Sequence, residues 1–528
     1  MLIIPLMSSS ATRQIARAAG TVMAAFVLNS LMGLLRQMVV TGAFGADASL
    51  DAFYAAARLP EILFSLVAGG ALGSAFIPTF TGLLENKKRV EAWQLASSIA
   101  NLVTLVLMAV CALAWAFAPQ LVGIILVPEF SAAQQALTVE LLRIQLITPV
   151  IFGLSGLLMG VLNAHRSFLL PAVAPSLLWL GMIISVFALV PSLGIHGLAW
   201  GAVLGAALHL AVQAPGLLKV RPRYQAMLGL HLASVRQVGR LMAPRVLGVA
   251  VVQINFLVNT IVASGMDPGS LAAITVAFSV MLMPQQAIGQ AIAIAALPTF
   301  SAQVARGKLA ELRSSLASTL RAIIILAVPA SVGLVLMREP LVALLFERGA
   351  FGSEDTQLVA WALGWFAAGL LGHSVVELAS RAFYAQHDTR TPVLVGTLAM
   401  GLNVALSLSL PGVFASAGWM PHGGLALANS AATFLEMLAL LALMSRRLGG
   451  LEGGRLWQAI GQAAFGGAVM GLALWGWFSI AGRAPLWLLA GGGVALGLGV
   501  YAAVARVLNV NELSAVLLSI RRRLKRRH

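Results

Sequence analysis

The sequence predicts an all-α polytopic membrane protein, and three observations lead to that fold class. Of the 528 residues, 59% are hydrophobic and only 10% are charged, whereas about 25% of the residues of soluble domains are charged. The mean hydropathy is +0.92. The apolar residues also form runs of about 20, the length that crosses a bilayer as a helix. A soluble domain of this length could not bury so much apolar surface.

Fourteen such runs predict fourteen spanning helices. They lie near residues 20–43, 58–83, 94–117, 138–162, 167–190, 196–218, 238–264, 270–299, 315–337, 357–384, 392–413, 422–444, 458–480 and 485–507. With the N-terminus inside, most of the 34 Lys and Arg residues fall on the cytoplasmic side, as the positive-inside rule requires. We therefore expect a multi-pass protein of the bacterial inner (cytoplasmic) membrane with both termini cytoplasmic. The net charge of +16 then reflects membrane orientation and not a nucleic-acid partner.

The chain matches itself at an offset of 220 to 221 residues. Residues 77–80 (IPTF) match residues 297–300 (LPTF). Further matches at this offset are Leu121-Val122 with Leu341-Val342, Phe130 with Phe351, Ala164 with Ala385 and Pro171 with Pro392. The repeat predicts two six-helix lobes of the same orientation, which typically rock about a central site in transporters that work by alternating access. It could also reflect only how large bundles arise.

The duplication predicts four regions. They are an N-lobe over 1–225 with spans 1–6, a C-lobe over 226–450 with spans 7–12, two additional helices over 451–510, and a basic cytoplasmic tail over 511–528. The tail is expected to anchor the topology and to contact anionic membrane lipids.

Ionisable residues inside spans are costly and usually face a cavity or a partner. Spans 1 and 2 hold Arg36 and Arg58, with Asp51 between them and Glu61 one turn beyond Arg58. The two arginines could bind an anionic head group, because guanidinium groups engage phosphate bidentately. Alternatively, Arg36 reaches the interface and Arg58 forms a structural pair with Glu61. Arg245 in span 7 could face the same site or pack at a helix end.

In the second lobe, Glu377 and Glu436 could form a cation or proton site, although an interhelical hydrogen bond is the commoner role for such residues. No metal site or cofactor motif is recognised, and neither is a catalytic motif of the HExxH, Walker A or GxSxG type. Other residues are expected to be structural: His209 and His373 as core contacts, Arg143 and Glu140 as a local pair, and Cys111 as a lone thiol.

Several short strings follow one another in a specific order. They are GLLR at 33–36, FG at 44–45, DAF at 51–53, RLP at 58–60, AFIP at 75–78, LFERGAF at 345–351, RAFYA at 381–385 and DTRTP at 388–392. Together they resemble the MurJ/MviN family, the lipid II flippases of peptidoglycan synthesis within the multidrug/oligosaccharidyl-lipid/polysaccharide exporter superfamily. The resemblance covers nearly the whole chain, and LFERGAF, RAFYA and DTRTP are its most specific strings.

The resemblance implies two lobes around a cationic cavity, with the two helices over 451–510 forming a groove for the lipid tail. It also implies that Arg36, Asp51 and Arg58 match substrate-site residues of the family. Family members have further arginines where this chain has Ser30, Phe64 and Ser279, and a glutamate where it has Gly69. The cavity of this chain is therefore expected to be less cationic, unless Arg245 compensates.

The implied activity is the movement of lipid II across the membrane by alternating access, for cell wall synthesis and cell shape. The implied partners are lipid II, membrane lipids and possible contacts with the cell wall synthesis machinery. Membrane potential, Na⁺ or H⁺ would supply the energy. The alternatives are a flippase for another polyprenyl-pyrophosphate-linked glycan, a cation-coupled drug antiporter, a membrane glycosyltransferase or ligase, and a non-transporting scaffold. The arginines in spans 1 and 2 disfavour the antiporter, because a site for cationic drugs should be acidic.

Overall fold

A computed structural model of the chain describes residues 10–67, 75–482 and 484–510. Within helices, the side chains of residues 10–24, 244, 245, 247, 248 and 251 lie outside this description. The described residues form α-helices and short π-helical turns joined by brief loops, with no β-strand among them. The all-α fold class is therefore confirmed for the described part of the chain.

The helices of the first half run from α1 to α12. Their bounds are α1 Ser10–Phe44, α2 Ala48–Val67, α3 Ile77–Glu85, α4 Arg89–Ala116, α5 Ala118–Gln120, α6 Ala132–Gln145, α7 Ile147–Ala164, α8 Leu169–Ala188, α9 Val190–Leu193, α10 Ile195–Ala211, α11 Ala214–Lys219 and α12 Ala233–Ser264. A π-helical turn, Leu121–Leu126, follows α5.

The helices of the second half run from α13 to α21. Their bounds are α13 Ser270–Gln285, α14 Ala291–Ala305, α15 Leu309–Phe346, α16 Ser353–Ala368, α17 Leu370–Ala385, α18 Arg390–Ser416, α19 His422–Leu448, α20 Gly453–Ala481 and α21 Leu486–Val507. A second π-helical turn, Gln286–Gln290, separates α13 from α14.

Eleven helical segments of the described chain are long and apolar enough to cross a membrane. The bent pair α16–α17, with an angle of 44°, makes a twelfth candidate span. All twelve coincide with predicted spans. The other two predicted spans fall on α2 with α3 and on α12, where residues 68–74 and several side chains lie outside the description. The chain is thus a multi-pass membrane protein, and the count of fourteen is consistent with the described helices.

The chain divides into two compact units, Leu2–Leu271 and Ala272–His528. In the first unit, α1 packs on α8, α2 on α6, and α8 on α10. The last pair is in backbone contact, because a Cβ atom at Gly181 would collide with Gly205. Helix α12, which begins the second repeat in the sequence, packs against α2 and α4 of the first unit. The predicted boundary between the lobes, at residues 225 and 226, follows the sequence repeat and stays a prediction. The boundary between the two packing units lies after α12, at Leu271.

An extended strap, residues 220–232, connects α11 to α12 and lies along α4. The side chain of Asn101 on α4 donates hydrogen bonds to the carbonyl oxygens of Gln225 and Met227, at 3.2 and 2.8 Å. It also accepts one from the Tyr224 hydroxyl at 2.8 Å. The strap has few hydrogen bonds within its own backbone, such as that from the Met227 amide to the carbonyl of Gln225. Asn101 therefore adds partners for backbone groups that are costly to leave unpaired beside an apolar helix.

In the second unit, α15 is the central helix and packs against α14, α16, α17, α20 and α21. Its core includes the fully buried side chains of Phe300, Leu320 and Phe383. The two additional helices, α20 and α21, contact each other and α15, and the Tyr501 hydroxyl of α21 donates a 2.6 Å hydrogen bond to the carbonyl of Ile325. Their use as a lipid-tail groove stays a prediction, and the basic tail lies outside the described residues.

Two pairs of tight turns recur at the offset of the sequence repeat. Before α4, the Lys88 amide donates to the carbonyl of Leu83 at 2.9 Å, and before α15 the Lys308 amide donates to that of Gln303, also at 2.9 Å. Each lysine also pairs with a glutamate three residues later, Glu91 or Glu311. Before α8 and α18, positive-φ turns occur at Arg166 and His387, both with φ of 60°. The internal duplication is therefore visible in local backbone geometry and not only in sequence.

Candidate functional site

In the described part of the chain, Arg36 on α1 has no carboxylate partner, whereas Arg58, the other arginine of the candidate site in the first unit, pairs with Glu61. Its guanidinium carbon lies 4.9 Å from the ring centroid of Trp179 on α8, and its Nη2 donates to the neutral Gln37 carboxamide at 2.6 Å. The Trp179 indole is itself fixed by a 2.9 Å hydrogen bond to Asn29. Arg36 Nε is buried and has no hydrogen-bond partner. An anion bound here would satisfy a donor that is otherwise costly to bury.

Arg58 on α2 is held from three sides. Its Nε donates to Thr260 Oγ1 at 3.1 Å, its guanidinium carbon lies 5.5 Å from the centroid of the Phe256 ring, and its Nη1 pairs with Glu61 Oε2 at 3.0 Å. Thr260 and Phe256 both belong to α12. The Arg58 side chain is 14% exposed and the Glu61 side chain 57% exposed. The pairing with Glu61 is confirmed, and Glu61 is the exposed member that an incoming anion could displace.

Asp51 lies at the start of α2 and is only 2% exposed. Its Oδ2 accepts the Gly269 backbone N–H at 2.6 Å. Gly269 has φ of +88°, a conformation that glycine adopts without strain, and it belongs to the loop that follows α12. Asp51 therefore fastens the start of α2 to this loop. Its assignment to the substrate site stays a prediction. Because Asp51 is buried, it is better placed to hold the helix start and the loop together than to contact a substrate.

The positions expected to hold further arginines contribute no charge. Ser30 donates to the carbonyl of Phe26 in its own helix, Phe64 packs on Phe152 with ring centroids 4.8 Å apart, and Ser279 donates to the carbonyl of Val276. The side chain of Arg245 and residue Gly69 lie outside the described residues. The described candidate site thus has two arginines and one nearby carboxylate, Glu61, which lies within electrostatic reach of both.

The second unit contains a polar cavity of about 410 Å³ between the α13–α14 segment and α17. It is lined in part by Gln285, Gln286 and Gln290 from the π-helical turn region, and by Glu377 and Arg381 from α17. Glu377 and Arg381 form an ion pair within α17. The carboxylate predicted to bind a coupling cation therefore already has a positive partner.

The second predicted acid, Glu436 on α19, is not among the residues that line this cavity. Its Oε1 points towards α18, where a Cβ atom at Gly396 would lie 3.3 Å away. Across the part of the chain that the structure describes, no three His, Cys, Asp or Glu side chains are grouped to hold a metal ion. A cation or proton site at Glu377 and Glu436 stays a prediction.

His209 makes a core contact, as predicted, because it is buried and its Nδ1 lies 2.6 Å from Ser155 Oγ. His373 Nε2 also has a polar partner, Asn429 Oδ1 at 2.9 Å, but His373 is only partly buried and lines the cavity of the second unit.

The predicted local pair of Arg143 and Glu140 is wrong. Glu140 instead lies 2.8 Å from His196 Nε2. The Arg143 guanidinium lies over Trp115 at 4.7 Å, because its side chain reaches a neighbouring helix end that offers both an aromatic face and a carbonyl.

Sequence reasoning also missed residues that shape these sites. Trp179 and Thr260 contact the arginines from positions that are remote in sequence, and an apolar span gave no reason to single them out. The glutamines could have been found, because three of them in six residues (QQAIGQ, 285–290) are unusual inside an apolar span.

The chain shares its fold with solved structures of membrane transporters. A solved structure of lipid II flippase MurJ in an inward closed conformation superposes with a TM-score of 0.80 and 22% identity, covering 93% of this chain and 99% of that one. An inward-facing multidrug resistance MATE family transporter of the MOP superfamily superposes with a TM-score of 0.67 and 14% identity, covering 80% and 96%. At these identities the comparisons establish the fold alone.

Sequence comparisons establish the family. The family model for lipid II flippase MurJ matches residues 40–487. The lipid II flippase MurJ of Burkholderia cenocepacia is 30% identical over 438 residues, 82% of this chain and 84% of the relative. The probable lipid II flippase MurJ of Vibrio cholerae is 31% identical over 479 residues, 86% and 88% of the two chains. The chain belongs to the lipid II flippase MurJ family.

Proposed function

We propose that this protein flips lipid II, the lipid-linked peptidoglycan precursor, from the cytoplasmic to the outer face of the cell membrane. The observation that carries this function is the pair Arg36 and Arg58, with the buried Arg36 Nε lacking a partner. Two guanidinium groups, both within electrostatic reach of Glu61, supply the positive charge and the hydrogen-bond donors that a pyrophosphate requires. Relatives of known name, 30% identical over most of the chain, support the same substrate.

In this mechanism the pyrophosphate binds at Arg36 and Arg58, while the polyprenyl tail stays in lipid and contacts α20 and α21. Enclosing the head group avoids moving its charge through hydrocarbon. Alternating access then exposes the head group to the opposite face, and the substrate shifts this equilibrium only through its different affinities for the two states. Both termini lie in the cytoplasm, in agreement with the positive-inside bias.

The membrane potential is the energy source that we propose. A potential that is negative inside drives an anionic head group outwards. Of the two acids that could couple transport to Na⁺ or H⁺, Glu377 is paired with Arg381 in the described chain, so Glu436 is the one that remains for such coupling. With the potential as the energy source, its collapse should stop flipping, and removal of the Na⁺ gradient should not.

A flippase for another polyprenyl-pyrophosphate-linked glycan is the second candidate. Ser30, Phe64 and Ser279 favour it, because these positions have no charge where the family resemblance implies arginine. Both candidates share the pyrophosphate and differ in the glycan.

The test is rescue of a bacterium depleted of its own lipid II flippase. We expect growth to resume and lipid II to become accessible at the outer face when this protein is expressed. A well-expressed and correctly inserted protein that restores neither would contradict the lipid II assignment and favour the second candidate.

A further inference from the structure

We infer that the cavity in the second unit binds a neutral carbohydrate ring of a lipid-linked glycan, through the carboxamides of Gln285, Gln286 and Gln290. This inference rests on the proposed function, because that function supplies a substrate whose head group contains sugars.

The geometry of the cavity suits a sugar. Its volume of about 410 Å³ falls within the range of ligand pockets, about 300 to 1,000 Å³. The π-helical turn Gln286–Gln290 adds a residue to the helical turn, a distortion that often occurs at functional sites. It also brings Gly289 so close to α17 that a Cβ atom there would lie 2.6 Å from Ser374 Cα. The glutamines are therefore held on a wall that packs tightly against the opposite helix.

The hydrogen-bonding groups of the cavity are available for a ligand. Among the described residues, none of the three carboxamides donates to or accepts from another protein group, although Gln285 is only 7% exposed. A carboxamide offers two donors and an acceptor, the complement that hydroxyl and N-acetyl groups of a sugar require. Because the three glutamines line the cavity, a ligand there can replace the water that would otherwise solvate their carboxamides.

The charges of the cavity point to a neutral ligand. Its two charged residues, Glu377 and Arg381, neutralise each other within α17. An anion would have to compete with Glu377 for Arg381, and a cation would have to compete with Arg381 for Glu377. A sugar would displace neither residue. The charged peptide of a peptidoglycan precursor is correspondingly disfavoured at this position.

The test compares three lipid probes: undecaprenyl pyrophosphate, the same lipid with an N-acetylated disaccharide, and the disaccharide lipid with its peptide. Affinities are measured on the purified full-length protein with Gln286→Leu and Gln290→Leu. Loss of one neutral hydrogen bond should weaken binding of the disaccharide lipid about three- to tenfold. Binding of undecaprenyl pyrophosphate should stay unchanged, which would also show that the variants are folded.

Gln357→Leu is the matched control, because Gln357 is an exposed glutamine of α16 in the same unit, and it should alter none of the affinities. Equal weakening of all three probes, weakening of the peptide-bearing probe alone, or no change would each overturn the inference. Arg36→Ala separates this outcome from failure of the proposed function. It should weaken all three probes, and an unchanged affinity for undecaprenyl pyrophosphate would contradict the pyrophosphate site itself.

Discussion

The two candidate binding regions differ in how their charges are balanced. In the first unit, Arg36 and Arg58 are accompanied by one carboxylate, Glu61, which is 57% exposed and pairs with Arg58. In the second unit, the single arginine of the cavity, Arg381, is matched by Glu377 on the same helix. One region therefore has an excess of positive charge, whereas the other offers neutral hydrogen-bonding groups.

This difference arose on a duplicated scaffold. The turns before α4 and α15 share their hydrogen bonds and their Lys–Glu pairs. At the same offset of 220 residues, however, Arg36 corresponds to Phe256 and Arg58 to Phe278. The Phe256 ring now lies beneath Arg58. At these positions the two repeats differ in a charged residue of the interior, whereas the turns before α4 and α15 are the same.

Arg36→Ala should have the largest effect and abolish flipping, because it removes the positive charge that has no carboxylate partner of its own. The measurement is rescue of a flippase-depleted bacterium, with insertion checked by the amount of protein in the membrane. Arg143→Ala is the control, since Arg143 also lies over a tryptophan ring, at 4.7 Å, and its contacts in the described chain are with Trp115 and not with Arg36, Arg58 or Glu61. Equal loss of activity in both variants would mean that arginine–tryptophan packing matters and not the position of the charge.

Asp51→Asn should destabilise the first unit, because the asparagine oxygen can still accept the Gly269 N–H but carries no charge. A hydrogen bond to a charged group contributes about 1.5 to 3 kcal/mol and a neutral one about 0.5 to 1.5 kcal/mol, so a loss of about 1 kcal/mol is expected, measured as a lower Tm of the detergent-solubilised protein. Asp47→Asn provides the comparison, because Asp47 accepts the Leu50 amide at an exposed helix start. A decrease at Asp47 as large as that at Asp51 would argue against a special role of the contact with Gly269.

Asp388→Ala should reduce stability in a pH-dependent way. Hydrogen bonds from the backbone and side chain of Thr391, assisted by Arg447, lower the pKa of Asp388 from 3.8 to about 2. The ionised form is thus the one the fold stabilises, and its contribution is complete above pH 3.8 and is lost as the pH falls towards 2. Replacing a helix-capping side chain by alanine lowers the free energy of unfolding by about 1 kcal/mol, and this is the difference expected at neutral pH.

The measurement is the Tm of both proteins between pH 7 and pH 2.5, and the difference should shrink below pH 4. Ser167 occupies the equivalent position at the offset of 221 residues in the first repeat. Ser167→Ala should produce no difference that varies with pH over this range, and a similar pH dependence there would contradict the assignment to Asp388.

Glu61→Gln should have the smallest effect and tighten the binding of inorganic pyrophosphate. The exposed carboxylate competes with an anion for Arg58, and such a pair contributes about 0.2 to 1 kcal/mol, which corresponds to at most about a fivefold change in Kd. Glu91→Gln removes the acid of an ion pair with the same spacing at the surface and should leave the Kd unchanged. Weaker binding in Glu61→Gln would show that Glu61 supports the site instead of competing with its ligand.

Hydropathy and charge predicted most of the fold, because the membrane requires long apolar helices and makes each internal charge conspicuous. The same reasoning found Arg36, Arg58 and Glu61. It did not find Trp179 or Thr260, since an aromatic ring or a hydroxyl in a span looks the same whether it faces lipid or an arginine. Arg381 lies close to the end of a predicted span, where an arginine is ordinary, and only the side-chain packing places it at a cavity.

The position of α12 has a consequence for dividing the gene. The sequence repeat suggests a cut near residue 225, but that cut would break the strap at the residues that Asn101 holds. It would also place α12 on a different polypeptide from α2 and α4, against which it packs. Fragments divided after Leu271 keep the first unit intact and should reassemble when coexpressed far better than fragments divided at the repeat. The two copies of the sequence repeat are therefore not separate packing units, because the start of the second copy packs against helices of the first.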